Sequence, residues 1–445
     1  LFNNIQLSSR LLLGPEPGSI KNSGLYLAAF AAVLGNFNSG YSLVYPSPVL
    51  PYFQSPDADP RLRMNTEQAA WFGSIYSLGA AAGGLGAILL NDMIGRKLSI
   101  MMSALPSTIG LVSVYISEIS HQKVRGALGS CPQITSVIGA LVLYALGLVV
   151  PWRWLAVAGE VPAVLMVVLM AFMPSSPRRL LSMGRQQHAE RVLRWLRGNQ
   201  YDPKITWSQL GTPTYYKPIL ISVGMRFLQQ MTGITPILVY MEPIFKKSNV
   251  PLYGAAIVGL LRLCSIAVAA FLMDKAGRKA LLYTSSMLMF LSTLTLTMVS
   301  HTTPCPPGPA PPNHTALDYT SHNDFGSTFM SNLYYHIVGC LLGYALGWGP
   351  ITWLLMSEVL PLAARGKASG VCVTVSWLTA FGLTHGFTHL VDTYGLYVPY
   401  LLFTVVCVVS LLFNAVCIPE TRKRSLEEIE NYFRTGRTFT INRSS

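Results

Sequence analysis

Residues 343–370, GYALGWGPITWLLMSEVLPLAARGKASG, decide the fold class. The first half of this stretch is apolar but is interrupted by Gly343, Gly347, Gly349 and Pro350. A helix in a soluble core would hardly tolerate that density of glycine and proline. A membrane helix tolerates it when neighbouring helices or a polar cavity satisfy the freed backbone groups. The stretch is therefore typical of a broken membrane helix.

Three charged motifs occur twice, in the same order and direction, along the chain. SEISHQKVRGALG from Ser117 corresponds to SEVLPLAARGKASG from Ser357, with Glu and Arg seven residues apart in each copy. D-x-x-G-R-K occurs at 92–97 and at 274–279, and the sequences PSSPRR and PETR end the two halves. Parallel repeats of this kind, related by an axis along the membrane normal, indicate a transporter built from two helical bundles.

Composition places the chain among polytopic membrane proteins. It is 51% hydrophobic and 11% charged, with a mean hydropathy of +0.42. The net charge of +13 does not indicate nucleic-acid binding, because the basic residues lie in short loops between apolar segments. No nucleotide-binding loop is present, so ATP-driven transport is not expected. We also expect no metal, no cofactor and no enzymatic activity.

Ten apolar segments are long enough to cross about 30 Å of hydrocarbon. They lie at 25–45, 70–91, 126–150, 153–173, 219–241, 254–273, 280–300, 333–357, 368–390 and 397–418. The segment 98–117 is a further candidate. Lys and Arg concentrate in the loops on one side, which the positive-inside rule makes cytoplasmic.

The predicted domain organisation follows from these spans. The opposite side carries a proline-rich loop without Lys or Arg, in which Asn313-His314-Thr315 is a candidate glycosylation site. The predicted units are a cytoplasmic tail (1–24), an N-terminal bundle (25–173), a cytoplasmic central loop (174–218), a C-terminal six-helix bundle (219–418) with an external loop (301–332), and a cytoplasmic tail (419–445).

The motifs resemble those of the sugar-porter branch of the major facilitator superfamily, the facilitative glucose transporters. The resemblance covers most of the chain and is carried by QQMTGITPILVY, GWGPITWLLMSEVLP, RGALG, D-x-x-G-R-K and PETRKRSLEEIENYF. It implies an all-α polytopic membrane protein with the major facilitator fold of two helical bundles. It also implies alternating access to a small-molecule sugar across a lipid bilayer. The membrane is the plasma membrane or an endosomal or lysosomal membrane.

A hexose site needs uncharged hydrogen-bonding side chains and an aromatic surface, because a hexose is neutral and covered in hydroxyls. Gln229 and Gln230 lie in mid-span beside Gly233 and Pro236, which favours a cavity. An isolated glutamine could instead bond a neighbouring helix. The resemblance implies a substrate site formed by Gln133, Gln229, Gln230, Thr235, Arg262, Trp353 and Trp377.

Three residues of this region depart from the family pattern, in which asparagine is usual at each position: Thr235, Ser376 and Arg262. A charge in mid-span is costly and indicates function. We therefore expect Arg262 to bind substrate, to act in gating or to pair with a carboxylate. Glu160 is the other ionisable residue inside a predicted span, and it is either protonated there or near an interface.

The repeated charged motifs are predicted to form a cytoplasmic gate. The resemblance implies ion pairs that hold the two bundles together when the carrier faces outward. The residues concerned are Asp92, Arg96, Glu118, Arg125, Asp274, Arg278, Glu358 and Arg365. The alternative is that they only satisfy the positive-inside rule and cap helix ends, but the repeated Glu-to-Arg spacing favours the gate.

The two halves differ in length. The glycine of D-x-x-G-R-K and the arginine of the following R-G motif lie 88 residues apart in the second half and 30 apart in the first. The external loop accounts for about half of the difference, which leaves roughly one span with its connection missing. We therefore expect an incomplete first bundle of four or five helices and a poorly stable chain. Residues 98–117 should be irregular or re-entrant, with breaks at Pro106 and Gly110.

The predicted function is facilitative hexose transport by uniport. Proton-coupled relatives tend to carry Asp after Gly-Tyr in the first helix, whereas Ser42 follows Gly40-Tyr41 here. A proton-coupled sugar symporter remains an alternative. So does a protein that binds sugar without moving it, either as a sensor or as a defective isoform.

Overall fold

The structure is a computed structural model of the chain. It describes residues 23–55, 59–93, 122–172, 213–247, 251, 253–273, 275–302, 334–361, 365–422, 424 and 426–435. Within these residues all regular secondary structure is helical. The segment 98–117, the loop that carries Asn313 and most of the N-terminal tail lie outside the described residues, so the predictions made for them stay predictions.

The described part of the first half contains five helices. They are α1 (Ser23–Val44), α2 (Pro46–Phe53), α3 (Thr66–Met93), α4 (Gln122–Gly147) and α5 (Trp152–Phe172). Helix α1 ends at Val44, and Pro46 opens α2 at its first position, where its missing N–H costs no helical hydrogen bond. Helix α3 begins with reciprocal hydrogen bonds: the Gln68 backbone N–H donates to Asn65 Oδ1 (2.8 Å), and the Asn65 N–H donates to Gln68 Oε1 (3.1 Å).

The described part of the second half contains ten helices. They are α6 (Pro213–Met231), α7 (Ile234–Val239), α8 (Met241–Lys247), α9 (Gly254–Leu272), α10 (Arg278–Thr302), α11 (334–346), α12 (Pro350–Val359), α13 (Arg365–Tyr394), α14 (Tyr397–Cys417) and α15 (Leu426–Thr435). Six segments in the described residues are long and apolar enough to cross a membrane: Trp152–Phe172, Gly254–Leu272, Arg278–His301, Tyr334–Val359, Lys367–Tyr394 and Tyr397–Cys417.

Each of the ten predicted spans falls on helical residues. The bounds differ most at α6, which begins at Pro213 although the apolar segment begins at 219. The difference arises because the first residues of α6, PTYYKP, carry little hydropathy signal. The helices of the second half therefore extend further from the apolar core than their hydropathy indicates.

Two spans of the second half are broken near their middle. Between α6 and α7, Gly233 adopts a left-handed backbone conformation with φ of +79°. Between α11 and α12, the Tyr344 carbonyl accepts hydrogen bonds from the backbone N–H groups of Gly347 (3.3 Å) and Gly349 (2.8 Å), and Pro350 opens the new helix. The broken membrane helix predicted from residues 343–370 is therefore confirmed.

The most extensive contacts between the two halves are made by two pairs of helices. Helix α3 packs along α13, and α4 packs against α9. On the first pair, a Cβ atom added to Gly84 would lie 2.7 Å from Thr374 Oγ1, and one added to Gly370 would lie 2.5 Å from Ile88 Cγ1. Because there is no room for a larger side chain at either glycine, the two halves approach each other closely here.

Candidate functional site

A cavity lies between the two halves, lined by α1 and α4 on one side and by helices of the second half on the other. All seven residues predicted for the substrate site line it: Gln133, Gln229, Gln230, Thr235, Arg262, Trp353 and Trp377. Each of them is buried. The seven residues come from six helices, α4, α6, α7, α9, α12 and α13, and the breaks before α7 and before α12 lie beside the cavity.

The glutamine pair is held by hydrogen bonds on both sides of the α6–α7 break. Thr235 Oγ1 donates to Gln230 Oε1 (2.7 Å), and Gln230 Nε2 donates to Ser376 Oγ (3.2 Å). Gln229 Nε2 donates to the Tyr344 hydroxyl (2.7 Å) and to the Trp348 carbonyl (2.6 Å). Thr235 and Ser376, two of the departures from the family pattern, therefore serve to orient Gln230.

A second arginine, Arg226, lines the cavity and was not predicted as a site residue. It lies on α6 one turn before Gln229 and is fully buried. Its guanidinium carbon lies 3.5 Å from the centroid of the Trp353 ring, a close cation–π contact. Its Nη2 donates to Ser376 Oγ (3.0 Å), and its Nη1 donates to Gln229 Oε1 and to Thr352 Oγ1 (3.4 Å).

The cavity is contracted in this conformation. It encloses about 50 Å³, which holds only a few water molecules. The Arg226 side chain covers the Trp353 ring and uses hydrogen-bonding groups of Gln229 and Ser376. A hexose therefore needs Arg226 or the surrounding helices to move before it can reach those groups.

The wall of the cavity is completed by aromatic and apolar side chains. Trp377 packs edge-on against Tyr76 of α3, with ring centroids 5.7 Å apart, so a contact between the two halves supports this wall. Glu160, the other ionisable residue predicted inside a span, is exposed on α5 and does not line the cavity.

The charged motifs of the second half form a connected cluster at the opposite end of the helices from the external loop. Arg278 Nη2 donates to Glu358 Oε1 (3.1 Å), and both side chains are 7% exposed. Thr421 Oγ1 donates to the other oxygen of Glu358 (2.7 Å). The Glu420 carboxylate accepts from the backbone N–H groups of Arg278 (3.1 Å) and Lys279 (3.0 Å), and so caps the start of α10.

This cluster contains two of the predicted gate residues, and the gate as a whole stays a prediction. Arg278 and Glu358 both belong to the second half, so their ion pair ties α10 to α12 and does not hold the two bundles together. The internal repeat shows which motifs of the two halves correspond. It does not show which side chains contact each other in the folded chain. The other gate residues lie outside the described residues or the described side chains: Asp92, Arg96, Glu118, Arg125, Asp274 and Arg365.

A polar contact that does join the halves lies near the other end of α3 and α13. His389 Nε2 lies 3.1 Å from Glu67 Oε2, and His385 Nε2 lies 4.0 Å from Glu67 Oε1. Trp71 Nε1 also donates to Glu67 Oε1 (3.0 Å). These residues were not predicted to interact, because their separation in sequence carries no signal of the packing of α3 on α13.

Comparison with known proteins identifies the family. The family model described as "Sugar (and other) transporter" matches residues 27–112 and 107–433, in two segments that meet inside 98–117. The chain is 48% identical over 476 residues to solute carrier family 2, facilitated glucose transporter member 6, from Homo sapiens, covering 94% of this chain and 93% of that protein. It is 36% identical to facilitated glucose transporter member 8 from Bos taurus, over 96% and 98% of the two chains.

A solved structure shows the same fold. The proton:xylose symporter XylE, bound to 6-bromo-6-deoxy-D-glucose, superimposes with a TM-score of 0.74 at 22% sequence identity, covering 93% of this chain and all of that one. The all-α fold, the apolar spanning helices and the family match agree. The chain is thus a multi-pass integral membrane protein that belongs to the sugar-porter family of the major facilitator superfamily.

Proposed function

We propose that this chain carries a hexose-like sugar across the membrane by alternating access, as a uniporter. The observation that supports the proposal is the meeting of all seven predicted residues at one buried cavity between the two halves. A cavity in this position is exposed to one side or the other when the halves rock about it. Similar proteins are named as facilitated glucose and facilitated trehalose transporters.

The chemistry of the cavity suits a polyhydroxylated ligand. The amides of Gln133, Gln229 and Gln230 both donate and accept hydrogen bonds, as a ring of hydroxyls requires. Trp353 and Trp377 supply the apolar surface against which the ring carbons would pack. The hydrogen bonds from Thr235 and to Ser376 fix the orientation of the Gln230 amide, which a sugar hydroxyl could then contact.

Uptake into proteoliposomes tests the mode of transport. The purified full chain, reconstituted with and without an acid-outside gradient, should let radiolabelled glucose approach the external concentration and no higher. Accumulation above that level would contradict uniport and support proton coupling. Stabilisation of the chain by glucose without any uptake would support a binding protein or defective isoform and would contradict transport.

Gln230→Ala tests the site itself. Removing the amide deletes hydrogen bonds at the buried cavity, and glucose binding should weaken by about 1–3 kcal/mol. Binding is measured as the concentration dependence of protection against thermal unfolding. Gln54→Ala is the matched control, because Gln54 is exposed at the end of α2 and does not line the cavity. Equal glucose protection in the two variants would contradict the assignment of Gln230.

A further inference from the structure

We propose that the preferred substrate is an anionic hexose derivative, a sugar that carries one carboxylate or phosphate group. The inference rests on the proposed function of the cavity as a sugar site and names the charge of the sugar. It goes beyond the neutral hexose that the sequence motifs imply. Its basis is the pair of guanidinium groups that the cavity presents.

Two positive charges face the cavity, and the described residues supply no negative one there. Arg226 is 0% exposed and Arg262 is 3% exposed. Among the described residues that line the cavity there is no Asp or Glu. A site built only for a neutral sugar has no use for two buried cations, and desolvating each of them is costly.

The guanidinium groups have incomplete hydrogen bonding. The described acceptors of Arg226 are all neutral oxygens, from Gln229, Thr352 and Ser376. The Nε atoms of Arg226 and Arg262 are both buried without a hydrogen-bond partner in the described part of the chain. No ion pair between Arg262 and a carboxylate occurs among the described residues. Each of the two guanidinium groups therefore keeps hydrogen-bonding capacity that the described protein groups do not use.

A third buried arginine of the same chain has the carboxylate partner that the two cavity arginines lack among the described lining residues. Arg278 is also buried, and there the chain places Glu358 3.1 Å from its guanidinium. The two arginines of the cavity have no such partner among the lining residues that the structure describes. This difference is expected if the substrate supplies the negative charge that pairs with the two arginines of the cavity.

The geometry suits a sugar acid or a sugar phosphate equally. Guanidinium binds carboxylate and phosphate through paired, charge-assisted hydrogen bonds. Because Arg226 lies on the Trp353 ring and bonds Gln229, an anion that attracts its guanidinium would also free the ring face and the amide for the sugar. The anionic group thus opens the contracted site that the hydroxyls then occupy.

The test is an equilibrium binding comparison on the purified full chain in detergent, at constant ionic strength. D-glucose, D-glucuronate and D-glucose 6-phosphate are compared, with acetate and inorganic phosphate as anions that lack a sugar. We expect glucuronate or glucose 6-phosphate to bind at least about tenfold more tightly than glucose, because hydrogen bonds to charged groups are stronger than neutral ones. The two acidic sugars distinguish a carboxylate from a phosphate substrate.

Four variants locate the effect. Arg262→Gln and Arg226→Gln should each reduce the ratio of acidic-sugar to glucose affinity by about tenfold. Arg262→Lys, which keeps the charge, should retain most of the preference. Arg153→Gln is the control, because Arg153 lies against the Trp152 ring (5.2 Å) outside the cavity lining. If Arg226→Gln fails to fold, the two Arg262 variants still decide the question.

The outcomes separate this inference from the proposed function. Glucose binding as tight as that of both acidic sugars would overturn the anionic substrate and leave the hexose carrier standing. An acidic sugar that binds when glucose does not would support the inference and overturn the neutral hexose. Acetate or phosphate binding as tightly as the acidic sugars, or an unchanged ratio in both glutamine variants, would overturn the inference. Binding of no sugar at all would overturn both.

Discussion

Replacing Glu358 with glutamine is expected to lower the free energy of unfolding by about 3–5 kcal/mol. Glu358 lies 3.1 Å from the Arg278 guanidinium, both side chains are 7% exposed, and its second oxygen accepts from Thr421. Glutamine keeps the shape and removes the charge, so the variant isolates the electrostatic part of the buried pair. The measurement is denaturant-induced unfolding in detergent micelles.

The contrast with an exposed pair provides the control. Glu67 is 55% exposed and lies 3.1 Å from His389, so Glu67→Gln should change stability by less than about 1 kcal/mol. The double variant Arg278→Met/Glu358→Gln should recover part of the loss, because it removes both charges. A loss for Glu358→Gln no larger than that for Glu67→Gln would show that the buried pair does not stabilise the second half.

Gly233→Ala is expected to destabilise the chain by about 2–5 kcal/mol, through two separate causes. The residue has φ of +79°, where a side chain is strained. An added Cβ atom would also lie 2.3 Å from ring atoms of Phe403. Because Gly233 sets the angle between α6 and α7, glucose protection should weaken together with the apparent melting temperature.

Two further variants separate the causes. Gly382→Ala lies in α13 with no heavy atom within 4 Å of the added Cβ, so it should be neutral or stabilising by up to about 1 kcal/mol. Phe403→Leu combined with Gly233→Ala should recover the steric part of the loss and leave the backbone part. Native-like stability of Gly233→Ala alone would mean that the left-handed turn is not required.

Residues that the sequence grouped in one local motif lie together at the cavity. Gln229, Gln230 and Thr235 lie within one short stretch, and the match of that stretch to a known family carried them to the cavity together. The helix break beside them was also foreseeable, because Gly233 and Pro236 disrupt a helix. The substrate-binding role of these residues stays a prediction until binding is measured.

What the sequence did not show depends on packing between distant segments. Arg226 carried a signal, since a charge in an apolar span is unusual, but its place on the Trp353 ring depends on how α6 meets α12. The pairing of Arg278 with Glu358 depends in the same way on how α10 packs on α12, and the repeated motifs carried no signal of it. The contact of Glu67 with His389 had no signal at all, because it follows from the packing of α3 on α13.

The glycine contacts between α3 and α13 bear on the speed of the transport cycle. Helices that interlock large side chains must pull apart before they shift, and the lost dispersion energy raises the activation barrier. At Gly84 and Gly370 only the opposite helix presents a side chain, Thr374 and Ile88 respectively, so two large side chains need not separate there in a shear motion. The contacts that join the halves, such as Glu67–His389 and the Tyr144–Leu238 hydrogen bond, would have to rearrange in such a motion.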